Sequence, residues 1–209
     1  VKERLRPLLR AAQAEHAYLH VDMEQYAFKD LTLRIFQEIL LEQEFKNFSD
    51  VGIVVQAYLQ DAEADLQNLL EWVKQRGTPV WVRLVKGAYW DYETVISTTH
   101  GWPAPVFLEK WESDANYEKL TRLLLENYEQ LRPAFGSHNL RSLSHAIACA
   151  ESLDVPRGAY EIQMLYGMAG EQGFEGPAAI GREAAFSIQL FEKFARTAAS
   201  FTQRRGDGL

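Results

Sequence analysis

The chain has 209 residues, enough for one domain with a substantial core at about 150 residues per domain. Apolar residues make up 47% and charged residues 24%, a globular balance rather than a disordered one. The net charge of −7 makes nucleic acid a poor default partner, and a single cysteine, Cys149, excludes an internal disulfide and any cysteine-rich zinc site. No apolar run approaches the roughly 20 residues of a transmembrane helix. The opening VKERLRPLLRAAQAE is charged and lacks a signal-peptide core, so the expectation is a soluble, intracellular protein or a fragment of one.

Short apolar runs alternate with longer segments of helical period. The runs are Ala17–Val21, Gly52–Leu59, Val80–Val85, Pro133–Ser137 and Tyr160–Leu165. Helical patterns cover about 31–46, 61–76, 114–131 and 140–153, which implies βαβ units and a parallel sheet. GIVVQAYL and VWVRLV are apolar on both parities, as expected of strands covered by helices. Arg76-Gly77-Thr78-Pro79 and Val155-Pro156-Arg157-Gly158 read as turns from helix to strand. Residues 170–177 read as a loop. Residues 178–203 read as one amphipathic helix with Ile180, Ala184, Ile188, Phe191 and Phe194 near one face, and no sixth strand is expected. Five strands are too few for a complete (β/α)₈ barrel.

Several strands carry a polar residue where an apolar one is expected. Asp22, Gln56, Arg83 and Gln163 each lie toward a strand's C-terminal end, Lys86 follows the third strand, and His138 and Asn139 end the fourth. Burying an unpaired charge or amide costs several kcal/mol, so each needs a reason. Any one could be a satisfied core group, such as an Asp22–Arg83 pair. As a set at the strand ends where parallel α/β folds bind ligands, they point to a site. Arg83, inside VWVRLVKG, asks for a carboxylate, a phosphate or an electron-rich ring. Lys86 suits the same anion as a point charge, or a Schiff-base role. Gly87 and Ala88 admit close backbone approach. Tyr89 and Trp90 could serve loop-to-helix packing, but directly after Arg83 and Lys86 they read as a stacking wall.

WVRLVKGAYWDYE resembles a signature of the proline dehydrogenase family, including the dehydrogenase domain of bifunctional proline utilisation flavoenzymes. HVDME, GIVVQAYL, FGSHNLRSL and YEIQMLYGM resemble, in order, the family's third, fourth, sixth and seventh strands, and ESDANYEKLTRLLLENYE resembles the helix after its fifth. The likeness spans about residues 1–169. It implies a (β/α)₈ TIM-barrel-like fold, here incomplete, with about five parallel strands and the C-terminal amphipathic helix. Residues 1–169 form the barrel segment, and 170–209 a loop and helix of unassigned role.

The resemblance further implies FAD at the C-terminal strand ends, and oxidation of L-proline to Δ1-pyrroline-5-carboxylate by hydride transfer to flavin N5, with a quinone as electron acceptor. Carried over by position, it places Gln56 on the isoalloxazine edge and Arg83 near N5. Lys86, Gly87 and Ala88 hold the pyrophosphate region, and Trp90 packs beside the cofactor. Tyr89 and Leu165 wall the proline pocket, His138 and Asn139 contact the adenosine half, Gln163 supports the flavin, and Asp22 stands behind Arg83. It also implies a cytoplasmic protein, peripheral at the inner membrane face. The family's first two strands and its last strand and helix, with an Arg-Arg pair that grips the proline carboxylate, have no counterpart; Arg204-Arg205 lies in a different context. Leu108 replaces a family threonine near the FAD phosphates, with Glu109 beside it. These departures leave room for a partner chain that completes the barrel, and for an inactive FAD-binding scaffold as the alternative to an active enzyme.

Overall fold

The computed structural model describes residues 1–165 and the strand 185–189. In chain order the elements are α1 (Lys2–Ala14), β1 (Leu19–Val21), α2 (Tyr26–Leu40), β2 (Val51–Gln56), α3 (Ala62–Arg76), β3 (Val80–Val85), α4 (Trp90–His100), α5 (Lys110–Glu126), β4 (Leu131–Gly136), α6 (Leu140–Ser152), β5 (Glu161–Leu165) and β6 (Ala185–Gln189). A single 3₁₀ turn, Arg157–Ala159, precedes β5.

The sheet runs β1-β2-β3-β4-β5-β6 with every neighbouring pair parallel. Parallel neighbours need crossover connections, and the helices supply them. The result is a curled part-barrel of the TIM type, as the family resemblance implies; the alternation of runs and helical patterns predicts its parallel sheet. One parity of the strands packs beneath the helices: Val51, Ile53 and Val55 of β2, Val80, Val82 and Leu84 of β3, and Leu131 and Phe135 of β4 are all buried. Phe36, Ile39 and Leu40 of α2, Leu66 and Leu69 of α3, and Leu120 and Leu124 of α5 close that core. Full burial of one such side chain contributes about 1.5–3 kcal/mol. The opposite parity carries the polar residues.

Local signals set the helix ends. Acidic Glu63 and Asp65 start α3, basic Lys74 and Arg76 end it, and Gly77 takes the left-handed conformation at φ 77° that stops the helix. Glu109 and Glu112 form a capping box at the head of α5. Arg76 is buried and donates to the carbonyls of Leu40, Phe45, Phe48 and Thr78, which ties the α2–β2 connection to the end of α3.

The structure corrects the reading of the C-terminal segment. Residues 185–189 are not part of an amphipathic helix but form β6, paired with β5 from Glu161↔Ala185 to Leu165↔Gln189. Phe186-Ser187-Ile188-Gln189 alternates apolar and polar residues with period two, a strand pattern that the 3.6-residue spacing of Ile180, Ala184 and Ile188 masks. The backbone edge of β5 needs hydrogen-bond partners, and that tertiary demand decides between the two periods. The rest of the expected helix, and Arg204-Arg205, lie outside the described residues. Helices α1 and α4 were not anticipated. Among the described residues, no helix is long and apolar enough to cross a membrane.

Candidate active site

The inward parity of the sheet opens at the C-terminal strand ends into a cavity of about 640 Å³. Ten of the residues singled out from the sequence line it: Asp22, Gln56, Arg83, Lys86, Gly87, Ala88, Tyr89, His138, Asn139 and Gln163. They come from the ends of β1 to β5, where a parallel fold presents side chains to a ligand. Met23, Glu24, Lys110 and Ser137 join them, and Met164 and Val54 add apolar surface. Trp90 is not in the lining. It is the first residue of α4, 40% exposed, and its indole N–H donates to the Phe107 carbonyl at 2.8 Å. Leu165 is the last residue of β5. Leu108 is 58% exposed just before α5.

Arg83 is buried at the floor of the cavity. Its Nε–H donates to Gln163 Oε1 at 2.6 Å, so a side chain of β3 reaches one of β5 across the intervening strand. The register makes room for that reach. Arg83 lies beside Ala134 and Gln163 beside Gly136, the two smallest residues available on β4. A Cβ at Gly136 would stand 3.7 Å from Arg83 Cγ and 3.1 Å from Val85 Cγ1. Gln163 in turn donates through Nε2 to Glu161 Oε2 at 2.9 Å.

Gln56 organises the opposite wall. Its amide donates to the carbonyls of Met23 and Glu24 at 3.1 and 3.0 Å, which holds the β1–α2 loop over the cavity. Asp22, in the same loop, accepts the Met23 backbone N–H. Gln56 Oε1 is buried and has no hydrogen-bond partner among the described residues. An orphaned acceptor in a ligand cavity signals a missing donor, because leaving it unpaired costs about 1–3 kcal/mol.

The β3–α4 loop forms the rim. Gly87 has φ 125°, and a Cβ there would meet the Tyr58 ring at 2.4 Å, so only glycine fits. Lys86 Nζ donates to Asp114 Oδ1 at 2.5 Å, and Lys110 reaches Asp114 Oδ2 at 3.3 Å. Burial pushes the Asp114 carboxyl up, but the hydrogen bonds from Lys86 and Lys110 outweigh it and hold the group below its ordinary range. This ion-paired setting suits Lys86 to fixed positive charge rather than to nucleophilic attack, which needs a free amine. Asn139 caps α6, accepting the Ser142 N–H at 3.3 Å, and so the N-terminus of a 13-residue helix also faces the cavity.

Below the cavity, toward the N-terminal strand ends, Tyr18 and His20 share a hydrogen bond of 2.5 Å and Arg132 stacks on Trp81. Burial first, and the charge of Arg83 second, pull the His20 imidazole down to about 3.

Asp114, Glu161 and Glu93, which accepts the Tyr26 N–H at 2.8 Å, are the contributors that sequence reasoning missed. Asp114 and Glu93 act from helices, and nothing local marks their positions. For Glu161 the available signal was a charge two residues before Gln163 on the same parity of a strand.

The part-barrel defines a parallel α/β protein of the barrel class with a polar cavity at the strand C-termini. A family model described as proline dehydrogenase matches residues 1–185, and the chain belongs to that family. The bifunctional protein PutA of Salmonella typhimurium is 30% identical over 173 residues, covering 82% of this chain and 13% of that protein. Proline dehydrogenase 2 of Bacillus subtilis is 30% identical over 168 residues, covering 80% of this chain and 48% of its own length. Among solved structures, proline utilization A from Bdellovibrio bacteriovorus, inactivated by N-propargylglycine, aligns with a TM-score of 0.79 and 54% identity over 80% of this chain and 18% of its own. Proline utilization A from Corynebacterium freiburgense aligns with a TM-score of 0.82 and 33% identity over 99% of this chain and 22% of its own. The chain thus spans about half or less of the length of these relatives.

Proposed function

We propose that this chain carries the flavin-binding part of a proline dehydrogenase and takes part in oxidation of L-proline to Δ1-pyrroline-5-carboxylate, with FAD as cofactor and a quinone as the final acceptor. The observation that carries the reading is the buried pair at the cavity floor: a guanidinium, Arg83, and an orphaned amide acceptor, Gln56 Oε1, both at strand C-termini. Gln56 Oε1 matches a ring N–H, and Arg83 matches a ring system that gains negative charge. The residues present therefore fit the cofactor.

Bound FAD would supply a two-electron acceptor for a hydride from the proline ring. The chain's own groups do the rest. Arg83, held by Gln163, offers fixed positive charge where negative charge develops. Lys86, the backbone at Gly87 and Ala88, and the N-terminus of α6 line one side of the cavity with donors suited to a pyrophosphate. His138 and Asn139 stand at that side for the adenosine half, while Tyr89 and Leu165 are assigned to the proline pocket and Trp90 to packing beside the cofactor at the rim. Asp22 is assigned to the support of Arg83. We assign the chain to the cytoplasm with peripheral association at the inner membrane face, and leave a place for a partner chain that completes the barrel.

An absorbance spectrum of the purified chain with added FAD, before and after L-proline, tests the reading. Flavin bands that shift on binding and bleach with proline are expected. A chain that takes up no FAD overturns it. FAD taken up but never reduced selects the alternative, an inactive flavin-holding scaffold.

A further inference from the structure

We propose that Glu161 is a positioning residue for Arg83, acting through the orientation of the Gln163 amide. The inference rests on the reading of Arg83 as the cation of the flavin site, and it extends to a residue that touches no ligand.

The argument is one of donor and acceptor inventory. A guanidinium only donates, and an ionised carboxylate only accepts. Gln163 lies between one of each. Its Oε1 accepts from Arg83 Nε at 2.6 Å, and its Nε2 donates to Glu161 Oε2 at 2.9 Å. Rotating the amide by half a turn would set N–H against N–H on one side and oxygen against oxygen on the other. Glu161 therefore leaves the amide one orientation, the one that offers an acceptor to Arg83. Both contacts involve a charged group and are stronger than neutral ones. Gln163 is 5% exposed and Arg83 8%, so water does not readily replace the bond between them.

The backbone supports the same reading. Glu161 and Gln163 are two apart on β5 and share its inward parity. The strand that Arg83 must cross presents only Ala134 and Gly136 beside this line. The guanidinium is thus held along its Nε edge by a chain that ends on Glu161, one step below the cavity floor.

The test uses the full chain without added ligand, and then with FAD. In nitrogen-15 spectra the Arg83 Nε–H resonance is assigned by its loss in Arg83→Lys. It is expected to exchange slowly with water in the parent chain. In Glu161→Gln the neighbouring amide can both donate and accept, the single orientation is lost, and exchange is expected to quicken about tenfold or more, in line with the loss of one charge-assisted contact. Glu161→Asp keeps an acceptor-only group and is expected to lie between the two; it carries the test if Glu161→Gln does not fold. FAD titration by fluorescence quenching is expected to weaken about threefold to tenfold in Glu161→Gln, since sub-ångström misplacement is costly in a preorganised site. An Arg83 Nε–H resonance with unchanged shift and exchange in Glu161→Gln overturns the proposal. If the parent chain binds no FAD, the flavin reading fails, and the exchange measurement still decides the role of Glu161.

Discussion

Arg83 on β3 hydrogen-bonds Gln163 on β5 at 2.6 Å, although the whole of β4 lies between them. The crossing exists because β4 offers Ala134 and Gly136 at the positions beside the path. Gly136→Val places methyl groups against Val85 Cγ1 and the Arg83 stem, where a bare Cβ already stands at 3.1 and 3.7 Å. The variant is expected to lose about 1–3 kcal/mol through overpacking and to displace Arg83. Urea denaturation measures the first effect, and a weakened FAD titration the second.

Arg83→Met removes the charge but keeps a stem of similar length. The core face of β3, formed by Val80, Val82 and Leu84, is untouched, so the fold is expected to persist, with about 1–3 kcal/mol lost because Gln163 Oε1 is left without its donor. Flavin reduction by proline is expected to slow by about a hundredfold or more, the scale on which removal of one preorganised charge-stabilising donor is felt. Stopped-flow absorbance at the flavin band measures it. Unchanged reduction would show that the guanidinium does not face the reacting ring.

Gly87→Ala combines two penalties. A backbone at φ 125° excludes an L side chain, and the new methyl would stand 2.4 Å from the Tyr58 ring. Relieving both must shift the β3–α4 loop, at a cost of at least about 1–3 kcal/mol. Since Gly87, Ala88 and Tyr89 line the cavity, ligand affinity is expected to fall with stability. Calorimetry and FAD titration on the same sample report the two effects.

Glu93, buried on α4, accepts the backbone N–H of Tyr26 at 2.8 Å and so caps the head of α2 from 67 residues away. This contact fastens the loop that begins at Gly87 to the loop that Gln56 holds. Glu93→Ala leaves a helix-terminal N–H without its acceptor and is expected to cost about 1–3 kcal/mol, whereas Glu93→Gln keeps an acceptor and is expected to cost less. Denaturant midpoints of the two variants distinguish them.

His20 makes stability depend on pH. Its folded-state value, pulled down to about 3, lies below the ordinary value of 6.5, so the unfolded chain binds the proton more readily. Stability from this group is full above about pH 6.5 and falls as the pH drops toward 3, by at most about 1.4 kcal/mol per unit. His20→Asn should flatten the parent's slope between pH 7 and 4.5 by a measurable part. Equal slopes in the two proteins would show that His20 is not held neutral by the fold.

The inward polar set was legible because charge within a buried strand is costly enough to need a reason, and because parallel strands present their C-termini on one side. Asp22, Gln56, Arg83, Lys86 and Gln163 could be collected from one-dimensional spacing on that rule alone, and the cavity gathers all of them. Trp90 could not be placed the same way. An aromatic after a strand serves a wall or a helix start equally well, and its hydrogen bond to Phe107 depends on where the next loop returns. Residues 185–189 were misread because Ile180, Ala184 and Ile188 satisfy a helical period, while the competing strand period gains its energy only from the open edge of β5.

The amino-acid order alone therefore determined the βαβ alternation, the parallel sheet and the identity of the polar groups at its C-terminal edge, since hydrophobic periodicity and the cost of buried charge act locally. Tertiary structure decided the partners: Gln163 and then Glu161 for Arg83, Asp114 for Lys86, Glu93 for the head of α2, and β5 for β6. Most of those pairings depend on the curl and register of the sheet, which bring together side chains as far as 80 residues apart in the chain.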